Sequence, residues 1–123
     1  MKITRFEDIE AWKAARVLRK QLDDLTKSHS FAEDWDLQRQ IRKAAVSAMA
    51  SIAEGFDGGA DLEFRRFLRI AKRSVTGLQS HLYVALDSQY LPLKDFDPLY
   101  DRCVKAKSLM GGFIRYLEGR SKA

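Results

Sequence analysis

The side chains in this sequence whose number and spacing suit them for chemistry are basic. Arg65, Arg66, Arg69, Lys72 and Arg73 occur with no acid between them, and Arg39, Arg42 and Lys43 do the same earlier in the chain. Steps of three and four put Arg65, Arg69 and Lys72 on one helical face, overlapped by Arg66, Arg69 and Arg73. In a hairpin turning near Gly58, Arg42 and Lys43 would lie beside the Lys72–Arg73 end of the next helix, so that both groups form one patch. Such a patch neutralises several phosphates, giving salt-sensitive and largely sequence-independent binding of RNA, DNA or another polyanion. The plainer alternative is a solvated helix face, with some arginines paired across a subunit contact to acids such as Asp34, Asp36 or Glu54. Phe64 and Phe67 flank the arginines but fall on or near the apolar stripe, which makes them poor stacking platforms.

No catalytic set accompanies these cations. Glu54 ends a helix, where a carboxylate opposes the dipole unless it has a partner. The hairpin would bring it near Arg65, which points to a structural Glu54–Arg65 ion pair. No second acid or histidine has a fixed spacing to Glu54 that would suggest acid–base work. His29 and His81 belong to no His-x-x-x-His or Glu-x-x-His pair, and metal sites in bundles need several inward Glu and His residues. Ser47 and Ser74 lack a base and its orienting group, and "GFDGGAD" lacks the lysine and spacing of a phosphate-binding loop. Cys103 is the only cysteine, which excludes an internal disulfide; it sits on an apolar seam. The expectation is a protein that is not an enzyme, with no catalytic, cofactor-binding or metal residues, no cofactor and no small-molecule substrate.

The elements that must position the basic residues are helices. The chain has 123 residues, a size that fits one domain over 1–123. Its apolar share of 46% and charged share of 32% exclude a disordered tail. Both prolines, Pro92 and Pro98, fall in one short stretch, leaving the remainder free to form long helices.

Periodicity predicts helices over about 4–28, 34–56, 60–90 and 95–119. Thr4 with Glu7, and Ser30 with Glu33, have capping-box spacing. Gly55 and Gly58–Gly59 are expected to end the second helix. Asp95 or Asp97 would cap the fourth, with Pro98 in its first turn. Gly77 inside the third helix suggests a close packing point, and Gly111–Gly112 in the fourth would need another backbone close by. Phe96, Leu99, Cys103, Ala106, Met110, Phe113 and Leu117 form a heptad seam. Short connections make the expected fold all-α, an antiparallel up-down-up-down four-helix bundle. The N-terminal residues have no signal-peptide core and no apolar run is long enough to span a membrane, so a cytoplasmic protein is expected.

Two stretches carry too little charge for the outside of a monomer. "AAVSAMASIA" (44–53) has none, and "SVTGLQSHLYVAL" (74–86) has none except at His81. Exposed weakly polar bands of that width mark contact surfaces. Ala45, Ser47, Met49, Ser51, Thr76, Gln79, Ser80 and Tyr83 are therefore candidate subunit contacts in a homo-oligomer. The alternative is that the serines, Thr76 and Gln79 solvate that side in a monomer.

The blocks "LQRQIRKAAVSAMASIAEGF" and "EFRRFLRIAKRSVTGLQSHL" resemble the four-helix bundle protein family also called the 23S rRNA intervening-sequence protein family. Gln40, Arg42, Lys43, Ala44, Ser47, Ile52, Ala53, Glu54 and Gly55 match its first pattern in place or type. Glu63, Phe64, Phe67, Leu68, Ala71 and Ser74 match its second, and "FEDIEAWKAA" resembles its first helix. Ser51, Ala60, Arg73 and Gly77 depart from the family residues at their positions. The resemblance implies a bundle that assembles into a homopentameric ring, and kinship with accessory proteins that bind a reverse transcriptase and nucleic acid. A net charge of +5 suits such a partner without requiring it. The leading reading is a non-enzymatic oligomeric scaffold whose basic faces contact RNA, DNA or a nucleoprotein. The alternative is a protein-only assembly module, and an enzyme with an inter-subunit site comes third.

Overall fold

The computed structural model describes residues 3–122, apart from the side chains at positions 29, 30, 121 and 122. It contains a 3-10 turn at Phe6–Asp8 and helices α1 (Glu10–Thr26), α2 (His29–Ala32), α3 (Trp35–Asp57), α4 (Asp61–Asp87) and α5 (Leu93–Lys122). Among the described residues there is no strand, and no helix is long and apolar enough to cross a membrane. The four long helices α1, α3, α4 and α5 form an all-α bundle.

The helix ends differ from the expected ones for local reasons. Thr4 does not cap Glu7: its N–H and hydroxyl both donate to the Asp8 carboxylate at 3.3 Å, while Arg5 pairs with Glu7 at 2.7 Å. This builds the 3-10 turn. Ile9 then passes in extended conformation into α1, its side chain fully buried. The Ser30 side chain of the second expected capping box lies outside the described residues. His29 is helical rather than in a loop, because α2 begins there. The cap of α3 is Asp34, whose Oδ1 accepts the Leu37 N–H at 3.0 Å. Its Oδ2 accepts the Tyr90 hydroxyl at 3.1 Å, tying this end to the chain beyond α4. The Pro92 carbonyl accepts the N–H groups of Asp95 and Phe96, so α5 starts at Leu93. Neither Asp95 nor Asp97 caps it, and Pro98 lies inside its second turn.

Pairs across the helices fix their arrangement. Ser47 meets Ser74 at 3.0 Å, and Gly55 faces Phe67. Arg120 bonds Asp61 at 2.9 Å, Arg69 pairs with Glu118 at 3.6 Å, and Lys107 bonds Gln79 at 2.9 Å. Along each of these two seams, numbers fall on one helix as they rise on the other. α1 packs on α3 and α5, and among the described residues neither the backbones of α1 and α4 nor those of α3 and α5 approach closely, so these pairs are diagonal. The core is the set of inward stripes, including Leu18 and Leu22 of α1, Ile41 and Ile52 of α3, Leu68, Val75 and Leu78 of α4, and Cys103, Met110 and Leu117 of α5.

The seam between α3 and α4 explains the uncharged stretches in part. Ala45, Ser51 and Gln79, expected as subunit contacts, are buried within the subunit. Their small or polar side chains serve packing of the bundle, not its outer surface. Ser47 is half-buried in its bond with Ser74, and Met49 packs partly against the core. The exposed residues of the two stretches are Val46 and Ala50 on α3, and Thr76, Ser80, Tyr83 and Val84 on α4.

The glycines exchange the roles expected of them. Gly55 does not end α3; it is buried, and a Cβ there would lie 2.5 Å from the Cβ of Phe67. The turn is made by Gly58 and by Gly59, whose φ of 84° suits glycine. Gly77 is no close packing point, since a Cβ there would meet nothing within 4 Å. A Cβ at Gly111 would meet only the tips of Arg115 and Lys72, so no second backbone packs there. Gly55→Ala should therefore destabilise the chain by about 1–3 kcal/mol through overpacking. Gly77→Ala should stabilise it by about 0.5–1 kcal/mol through helix propensity. Urea unfolding of the two variants should move the midpoint in opposite directions.

Candidate polyanion-binding groove

The single expected patch is divided by the bundle. Arg42 turns toward α1, where Nε donates to Thr26 Oγ1 at 3.3 Å and lies 4.0 Å from Asp23. It therefore does not join Lys72 and Arg73. Arg39 pairs with Asp36 at 3.2 Å on an exposed surface. With Lys43 it edges a cleft of about 580 Å³ between α3 and α4, above a floor including Ala44, Ser47 and Ser74.

The start of α4 holds its own counter-charges. Arg66 bonds Glu63 at 2.8 Å and lies over the Phe67 ring at 4.9 Å. That bond holds the Glu63 carboxyl below its ordinary range. The expected Glu54–Arg65 pair does not form: Glu54 is exposed, and Arg65 Nε is buried without a hydrogen-bond partner. The ion pair at this end is Asp61 with Arg120, whose hydrogen bond lowers the Asp61 pKa, with a smaller contribution from the charge on Arg65. Sequence reasoning missed it because Arg120 is distant in the chain.

Lys72 and Arg73 instead face a groove of about 420 Å³ between α4 and α5, with Arg69, Lys107 and Arg115. Lys107 and Arg115 were not among the expected contacts. Their signal was the spacing Lys107, Gly111, Arg115, which puts both cations on one face with a bare position between them. A Cβ on Gly111 would be 3.5 Å from Arg115 Nη1 and 3.7 Å from Lys72 Nζ. Two cations thus converge where one buried glycine leaves room for their tips. The one acid in the lining, Glu118, is paired with Arg69, and Lys107 donates to the Gln79 amide oxygen. Like charges held this close repel unless an anion screens them.

Farther along the α4–α5 seam, beyond the Lys107–Gln79 bond, lies an aromatic cluster. Tyr83 lies 5.0 Å from Phe96 and 5.7 Å from Tyr100 between ring centroids, and Phe96 stacks on Tyr100 at 5.5 Å. The neighbouring Tyr83 raises the Tyr100 pKa above its ordinary value, and burial adds to the rise.

No group of three or more His, Cys, Asp or Glu side chains among the described residues is placed to hold a metal ion. Cys103 is fully buried, and burial pushes its thiol up to about 12. The thiol stays protonated in the fold at neutral pH, so native protein should resist alkylation at pH 8, while urea-unfolded protein reacts promptly. Because the folded pKa exceeds the unfolded one, stability should fall as pH rises from about 9 toward 12.

Comparison with known proteins supplies the remaining finding. Among curated proteins, no match is found. The sequence pattern of the family described as 23S rRNA-intervening sequence protein matches residues 7–112, which spans the bundle from the 3-10 turn into α5. The chain belongs to the 23S rRNA-intervening sequence protein family.

Proposed function

We propose that this protein is a non-enzymatic, self-associating scaffold of the cytoplasm that holds RNA or DNA, free or within a nucleoprotein, in the groove between α4 and α5. The observation that carries this reading is the convergence of Lys72 and Arg115 over Gly111, in a groove whose one acid is already paired. Backbone phosphates would relieve the repulsion there and release their own counterions. Arg73 and Lys107 extend the positive surface, and Arg39 and Lys43 add to it on the other side of α4.

Self-association completes the proposal. The subunit is an antiparallel up-down-up-down bundle in this reading, and Val46 and Ala50 on the outside of α3 are the apolar surface offered to another copy. Val46 is 50% exposed on a ridge without charge between Lys43 and Glu54. A ring of five subunits is the number the family resemblance implies.

The second reading, a protein-only assembly module, draws support from the cations already committed inside the subunit: Arg39, Arg42, Arg66 and Arg69 all have acidic partners. A salt series of RNA binding separates the two. The scaffold reading expects log affinity to fall with log salt, and the double change Lys72→Ala with Arg115→Ala should reduce the slope by about 1.4 on single strands. Absence of binding at low salt favours the assembly module. Light scattering should find an oligomer at micromolar concentration, and Val46→Asp should dissociate it; a native monomer overturns the self-association.

A further inference from the structure

The groove between α4 and α5 lies on a seam formed by two aligned stripes. Lys72, Thr76, Gln79 and Tyr83 follow at steps of four, three and four on α4. Tyr100, Lys107, Gly111 and Arg115 follow at seven, four and four on α5, running the opposite way. The Lys107–Gln79 bond and the Tyr83–Tyr100 contact join these stripes along one seam. From Arg69 to Tyr83 the α4 side extends about 21 Å at the helical rise.

The two ends of this seam differ in chemistry. The Arg69–Arg115 end holds cations. The other end holds Tyr83, 48% exposed, against Phe96 and half-buried Tyr100. A tyrosine that served only the core would be covered as Phe96 is. Thr76, Gln79 and Lys107 lie between the ends and bring no unpaired acid. Exposed acids, Asp87 on α4 with Asp97 and Asp101 on α5, occur beside the aromatic cluster, which favours phosphates on the Lys107 side.

A positive groove with an exposed aromatic ring farther along the same seam matches the needs of an unpaired strand, whose phosphates follow the cations while a base stacks on the ring. A duplex keeps its bases stacked inside and offers no such face. A groove between packed helices with axes about 8–10 Å apart is also too narrow to seat one. We infer that the α4–α5 groove binds single-stranded RNA or DNA, with phosphates on Lys72, Lys107 and Arg115 and a base stacked on Tyr83. This rests on the polyanion reading above and adds to it a strand preference and a residue that meets the base.

The test compares three labelled oligomers of equal length by fluorescence anisotropy at low salt: single-stranded dT, the same strand made abasic, and a duplex. Single-stranded dT should bind about tenfold more tightly than either of the others. Tyr83→Leu should weaken dT binding by about tenfold with an unchanged salt slope, while Tyr83→Phe should bind like the native chain. Thermal melting by circular dichroism checks that both variants are folded, and the abasic strand tests stacking on the native protein without any substitution. Equal affinity for dT and its abasic form, equal affinity for the duplex, an unaffected Tyr83→Leu, or a Tyr83→Phe as weak as Tyr83→Leu overturns the stacking while leaving polyanion binding intact. Failure to bind any of the three overturns both readings.

Discussion

The close approach of α3 and α4 is the contact on which the remaining geometry depends. At Gly55 the two helices come so near that an added methyl would overlap Phe67, and farther along Ser47 and Ser74 bridge them directly. Small residues on one helix let the large apolar side chains of the other reach the centre of the bundle. This intimacy fixes the rotation of α4 about its axis. Once Phe64, Leu68, Ala71, Val75 and Leu78 point inward, Lys72 and Arg73 turn toward α5.

That rotation sorts the charges. Arg66 near the start of α4, Arg42 of α3 facing α1, and Arg120 near the end of α5 meet acids within the subunit: Glu63, Asp23 and Asp61 respectively. Solvent-screened pairs of this kind add little to stability. Their main effect is to remove charge from the surface available to a partner. Midway along α4 the balance changes, because α5 contributes Lys107, Gly111 and Arg115 at the level where α4 contributes Lys72 and Arg73. A basic groove thus arises from two helices neither of which is basic along its whole length.

Much of the architecture was legible in the residues. Heptad and three–four spacing located all four long helices, and the α5 seam from Phe96 through Met110 is buried as its spacing predicts. Helix ends were less legible, because caps depend on which nearby partner captures an orphan N–H. Asp8 and not Glu7 took that role for Thr4, and Pro92 provided the carbonyl that starts α5. The grouping of the basic residues was legible only in part. Lys72 and Arg73 do belong to a basic groove, but with Lys107 and Arg115 and not with Arg42.

What the sequence determined by itself was local and periodic: the helical class, the apolar stripes, the basic runs, and the break at Gly58–Gly59. Those properties follow from the 3.6-residue repeat and from backbone preferences that act over a few residues. Only the tertiary structure decided which neighbour each charge meets. Arg39 and Arg42 are three residues apart, yet one pairs with Asp36 in solvent and the other reaches across to α1. The physical reason is that a side chain's partner depends on helix rotation and on which helices are adjacent, and both are fixed by packing between segments far apart in the chain. The groove between α4 and α5 exists for that reason alone.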